Sequence, residues 1–223
     1  IFEKTKNKKV ANLGVVSYAP KIYLSKLNYL LEKGYTFNHV IISIDISDLY
    51  DDNVSYRLNK NYIVTDNYER GEKLKLRRFL RKNFPFTNFY MFVIKNLNEV
   101  GYSPNNINTD KPVFHKDALL KSKWTYSTDK IIVGYWSSVE SAQKEMIETM
   151  TTLHKLLDER NISLSIVVYP WPQQLENDIE DSKHTKMWRE FCEEKCSNFI
   201  NLFPLFFKYK EINGYLKTYK KYY

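Results

Sequence analysis

Four aspartates, Asp45, Asp48, Asp51 and Asp52, fall within eight positions at the end of an apolar run in "VIISIDISDLYDD". Carboxylates at that density bind a cation, move protons or face water, because a buried charge without a partner is expensive. Asp45 closes the run and needs a partner. Asp51 and Asp52 are expected in solvent. A Mg²⁺-dependent phosphoryl-transfer site built on the Asp45/Asp48 cluster is one chemistry such oxygens suit. Against it, Ser47 stands where an aspartyl-phosphate site wants a second carboxylate, and no glycine-rich phosphate loop is present. Cys192 and Cys196, four apart in "WREFCEEKCSNF", would share one helix face. No histidine is spaced to complete a zinc site, so no metal is expected there. The pair reads as small buried or half-buried residues, with a disulfide inside one helical turn as the minor alternative.

Such residues need elements to hold them. The 223 residues can bury one large core, and a single domain over 1–223 is expected. Net charge is +8, but 26 acidic residues are mixed among 34 basic ones, and no aromatic–basic RNA signature occurs. Nucleic acid is therefore not an expected partner. No stretch of 18 apolar residues exists.

Four apolar runs, Lys9–Leu13, His39–Ile44, Leu164–Tyr169 and Asn198–Leu202, read as strands of a buried parallel sheet. Helical periodicity covers Ile22–Lys33, ending at Gly34, then Val139–Arg160 behind Ser137 or Ser138, then Lys183–Lys195. This alternation predicts an α/β fold, three-layered and flavodoxin-like, with a mostly parallel sheet. Residues 50–135 break the alternation and read as a helical insertion or lid. Within it Arg70–Lys82 carries seven basic residues, Arg70, Lys73, Lys75, Arg77, Arg78, Arg81 and Lys82, against Glu72. That stretch reads as a solvated helix face, with contact to an anionic membrane surface as the alternative.

In open parallel sheets, ligands collect beyond the carboxyl ends of the strands. The loops there are "NLGVVSYAP", "DISDLYDD", "YPWPQQ" and "FPLFF". Gly14 lets the backbone approach a ligand closely. Tyr18 and Trp171, the latter stiffened by Pro170 and Pro172, are candidate walls of a substrate pocket. His39, His115 and His154 read as structural or surface residues.

Together these segments resemble the SGNH/GDSL-type esterases and O-acyltransferases. "NLGVVSYAP" is similar to the family's second block, and "DISD" to its Gly-x-Asn-Asp third block. "VVYPWPQQ", "MWREFC" and "FINLFPLF" resemble the later strands and helix of a bacterial branch. The resemblance implies acyl-ester hydrolysis or O-acyl transfer on a small-molecule or glycan ester, without a cofactor. It makes Gly14 a backbone donor to the oxyanion and Ser47 a side-chain donor in place of asparagine. Asp45 stands for the block's glycine and Asp48 for its final aspartate. No Gly-Asp-Ser block occurs, so the resemblance implies a serine nucleophile outside the span, together with the Asp-x-x-His block. Asp181 and His184 in "DSKH" fit that second pattern but precede the last strand; a helix N-terminus is the preferred reading. The family also implies a strand between the Lys9–Leu13 and His39–Ile44 runs, and an extracytoplasmic location. A glycan-binding relative without turnover is the remaining alternative.

Overall fold

The computed structural model describes residues 9–15, 17–66, 121–128, 131–133 and 137–223. In chain order the elements are α1 (Pro20–Glu32), β1 (His39–Ile44) and a one-turn α2 (Asp48–Tyr50) widening into a π turn (Asp51–Ser55). Strands β2 (Tyr56–Leu58), β3 (Val64–Asp66), β4 (Ile132–Val133) and β5 (Ser137–Ser138) follow. Then come α3 (Val139–Asp158), β6 (Ser163–Val168), α4 (Pro172–Asn177), α5 (Lys183–Lys195) and β7 (Asn198–Asn201). Helices α6 (Phe203–Asn213) and α7 (Tyr215–Tyr222) close the chain.

Strands β1, β6 and β7 form one parallel sheet in that order, the α/β architecture the alternation predicts. Two antiparallel pairs, β2 with β3 and β4 with β5, stand apart from it. Both crossovers, through α3 and through α5, step the same way across the sheet. Right-handed connection therefore puts both helices on one face. That face carries Ile42, Ile44, Leu164, Ile166 and Val168, all buried against Met146, Met150, Leu153 and Leu157 of α3 and Trp188 of α5. Each such side chain taken out of water contributes roughly 2 kcal/mol. On the other face of β1 and β7, Ile41 is 64% and Ile200 41% exposed among the described residues.

Local signals set the helix ends. The Ser138 hydroxyl accepts from the Ser141 N–H at the start of α3, and the Ser182 hydroxyl accepts from His184 and Thr185 at the start of α5. Gly34, at φ +84°, ends α1 and donates its N–H to the Leu31 carbonyl.

Several expectations need correction. Lys9–Leu13 forms no strand: residues 9–12 are exposed, and no described strand offers them a ladder. An isolated extended run gains nothing over hydrated coil. "FPLFF" is not a loop but the first turn of α6, with Pro204 where its missing N–H costs nothing. Cys192 is buried and Cys196 half-buried, as expected, but the pair is joined in a disulfide at the end of α5, the minor alternative of the two readings. Of the insertion expected over 50–135, residues 50–66 form α2, the π turn and the β2–β3 hairpin. The basic stretch Arg70–Lys82 and His115 lie outside the described residues. No described helix is long and apolar enough to cross a membrane.

Candidate functional site

The turn leaving β1 brings its side chains to the carboxyl edge of the sheet. Asp45 is half-buried there, and three donors converge on it. Its Oδ1 accepts the Ser47 N–H at 2.7 Å and the Ser47 hydroxyl at 2.6 Å, while Oδ2 accepts the Tyr169 hydroxyl at 3.1 Å. The two oxygens of Asp45 have the lone pairs to accept all three. Tyr169 is the first residue past β6, so parallel pairing of β1 with β6 sets this contact. Burial, then the Asp45 charge, pushes the Tyr169 hydroxyl up, so it keeps its proton and remains a donor.

Asp48 sits on α2 and is 3% exposed. Its Oδ2 lies 2.9 Å from the Tyr23 hydroxyl of α1, which also lies 3.0 Å from the Tyr18 carbonyl. Burial first, and the neighbouring Asp45 second, hold Asp48 well above the usual carboxylate range. Asp45 and Asp48 are thus two carboxyl groups with opposed environments, one lined with donors and one desolvated.

The remaining aspartates are not in solvent, against expectation. Asp51 is ion-paired with Lys121 at 2.6 Å. Asp52 is 0% exposed, and its Oδ1 accepts the backbone N–H of Lys21 at 2.7 Å. The Lys21 ammonium lies 3.6 Å from the other carboxylate oxygen, and donates to the Asp52 carbonyl and to Glu145 at 2.7 Å. Burial outweighs Lys21 and raises Asp52 to about 6. The four aspartates therefore serve separate partners. No described cluster of three His, Cys, Asp or Glu could hold a metal ion, so the Mg²⁺ chemistry lacks a ligand set among these residues.

Behind Asp45 lies His184, 1% exposed, between the Trp124 and Phe203 rings at centroid distances of 6.0 and 6.3 Å. Neither ring nitrogen makes a hydrogen bond of normal geometry. Burial lowers its pKa to about 4, although Asp45 and the Ile44 carbonyl pull the other way. Asp181 is exposed and pairs instead with Lys186 at 3.3 Å and Arg189 at 3.1 Å. Asp181 and His184 are therefore not an acid–base pair. Ser182 caps the helix between them, as the helix-start reading has it, and turns His184 into the core while Asp181 stays outside.

Gly14 is exposed, and its N–H donates to Asn12 Oδ1 at 3.0 Å. Tyr18 is half-buried, with the Lys26 ammonium 4.8 Å above its ring. Trp171 is half-buried and starts α4, its N–H donating to Gln174 Oε1. Helix α7 folds back on the same loop, where Tyr223 donates to the Pro170 carbonyl and Tyr215 to the Pro172 carbonyl. The structure thus gathers Asp45, Ser47 and Tyr169, with Asp48, Tyr23 and Tyr18 beside them. It leaves Gly14 and Asp181 at the surface. Tyr23 and Tyr169 carry no spacing that the sequence could reveal. His184 does, since it shares the apolar stripe of α5 with Trp188 and Phe191.

Set against known proteins, the chain matches no family model, no curated relative and no solved structure.

Proposed function

We propose that the chain is the α/β core of an acyl-ester enzyme of SGNH/GDSL type, a hydrolase or O-acyltransferase acting on a small-molecule or glycan ester. The observation that carries this reading is the direct parallel order β1–β6–β7, with the loops after β1 and β6 joined by Tyr169 and Asp45. The resembled family would place its later three strands in this order, and its first strand against the outer edge of β1. That edge carries no partner among the described residues.

In this reading Ser47 supplies the side-chain donor for the oxyanion. Its hydroxyl is engaged by Asp45, so ester binding must exchange the carboxylate for the developing oxyanion as its acceptor. The serine nucleophile and its histidine come from other sequence, as no Gly-Asp-Ser occurs in these residues. The test is labelling of the full-length protein by a serine-directed phosphonate, with release of acid from an aryl acetate. Labelling, together with a rate loss of about 10²-fold in Ser47→Ala, is the expected result. A folded protein that neither labels nor turns over refutes the reading.

The internal engagement of Ser47, and of Gly14 with Asn12, favours one second reading, a glycan-binding relative without turnover. Saccharide binding by calorimetry, with no ester hydrolysis, would establish it.

A further inference from the structure

The Tyr23 hydroxyl carries one proton and faces two oxygens, the Tyr18 carbonyl at 3.0 Å and Asp48 Oδ2 at 2.9 Å. A carbonyl oxygen can only accept. If Tyr23 donates to Tyr18, the proton in its contact with Asp48 must come from Asp48. If Asp48 is ionised, it takes the Tyr23 proton and the Tyr18 carbonyl loses its donor. Both contacts hold together as separate two-centre hydrogen bonds, each with its own proton, only when Asp48 is a neutral carboxylic acid. We propose that Asp48 is a proton-operated latch: protonated, it lets Tyr23 pin the Ser17–Tyr18 turn, and ionised, it withdraws Tyr23 and releases that turn.

The surroundings fit a latch. Ser17 stands at φ +64°, a conformation that costs a non-glycine residue of order 1 kcal/mol or more and persists only where contacts impose it. The turn is held by Tyr23 on the Tyr18 carbonyl and by Tyr56 on the Ser17 carbonyl at 2.9 Å. Among the described residues, no cation is paired with Asp48. On its own turn stand Asp45, Asp51 and Asp52, of which the last two are paired with Lys121 and Lys21. From α1 it faces Tyr23, with Lys21 committed to Asp52 and Glu145. Helix α3 contributes Glu145, already paired, and the β6 exit contributes the Tyr169 hydroxyl. Burial and the two carboxyl groups push the Tyr23 hydroxyl up, so Tyr23 itself stays protonated and only redirects its bond. The latch stands or falls independently of the ester reading, since no substrate enters it.

The test combines infrared spectroscopy with amide hydrogen exchange on the folded chain. At neutral pH the wild type should show a protonated-carboxyl stretching band that Asp48→Asn abolishes. Exchange protection around Ser17 and Tyr18, corrected for the intrinsic rate, should fall roughly fivefold as alkali ionises Asp48, the loss of one hydrogen bond. The asparagine of the Asp48→Asn variant is a permanent neutral donor, so protection there should stay flat. Tyr23→Phe should show the low value at every pH. A missing carboxyl band, or the same pH dependence in wild type and Asp48→Asn, overturns the latch.

Discussion

The Ser47 hydroxyl lies 2.6 Å from Oδ1 of Asp45 and donates to it, alongside the Ser47 N–H on the same oxygen. One residue thus closes a two-bond clamp on the carboxylate that ends β1. Ser47→Ala removes the hydroxyl arm and should destabilise the fold by about 1–2 kcal/mol, the range of a charge-assisted hydrogen bond. Asp45→Asn should cost a similar amount. Urea unfolding of the two single variants and the double variant should give a coupling above about 0.5 kcal/mol. Simple additivity would show that the clamp contributes nothing.

Lys21 and Asp52 are both almost wholly buried, at 5% and 0% exposure. Lys21→Met leaves a buried carboxylate without its cation, which costs about 3–5 kcal/mol. Lys21→Met combined with Asp52→Asn should recover most of that loss in a urea titration. A double variant as unstable as the single one would mean that Lys21 acts through packing alone.

Two buried groups give stability opposite slopes in acid. His184 titrates near 4 in the folded chain and near 6.5 when unfolded. Between those values the unfolded state binds the extra proton, so its contribution falls as pH drops, by on the order of 3 kcal/mol in all. Asp52 titrates near 6 when folded and near 3.8 when unfolded, so in that window the folded state binds the extra proton. Its contribution therefore rises as pH drops. Relative to wild type, His184→Phe should gain stability steadily from pH 6.5 down to 4, and Asp52→Asn should lose it from pH 6 down to 4. Urea midpoints at half-unit steps would read both; parallel curves for all three proteins would refute the assignment.

The Cys192–Cys196 disulfide closes a loop of only four residues' separation. Chain-entropy arguments allow it about 2 kcal/mol at most, less than a bridge across a long loop. Full reduction should lower the urea midpoint slightly and leave the far-ultraviolet circular dichroism unchanged. Global unfolding on reduction would mean that the bridge organises the end of α5 and not merely ties it.

What the sequence reveals and what it hides follow from the range of each interaction. The His39–Ile44 strand and the Lys183–Lys195 helix are legible to the residue, because apolar run, period and cap are local. Lys9–Leu13 has a similar look but lacks a neighbour, and a ladder is not a local property. Asp52 reads as a solvent residue because its partner, Lys21, is 31 positions away. The Asp45–Tyr169 contact spans 124 positions and emerges only from the β1–β6 register. Helices α6 and α7 are hidden for another reason: α7 buries little beyond Thr218, and "FPLFF", which reads as a loop around Pro204, is the start of α6.

The order β1–β6–β7 also sets a timetable. Pairing β6 with β7 joins Ser165 to Asn198, 33 residues on, whereas pairing β1 with β6 joins His39 to Ser163, across 124. The longer closure costs about 1 kcal/mol more in chain entropy, and contacts of such separation form late. The β6–α5–β7 unit is therefore positioned to assemble first, and β1 to dock onto it last. Until β1 arrives, Asp45 has no Tyr169 and β6 shows a bare edge, so the candidate site is completed by the slowest pairing in the sheet.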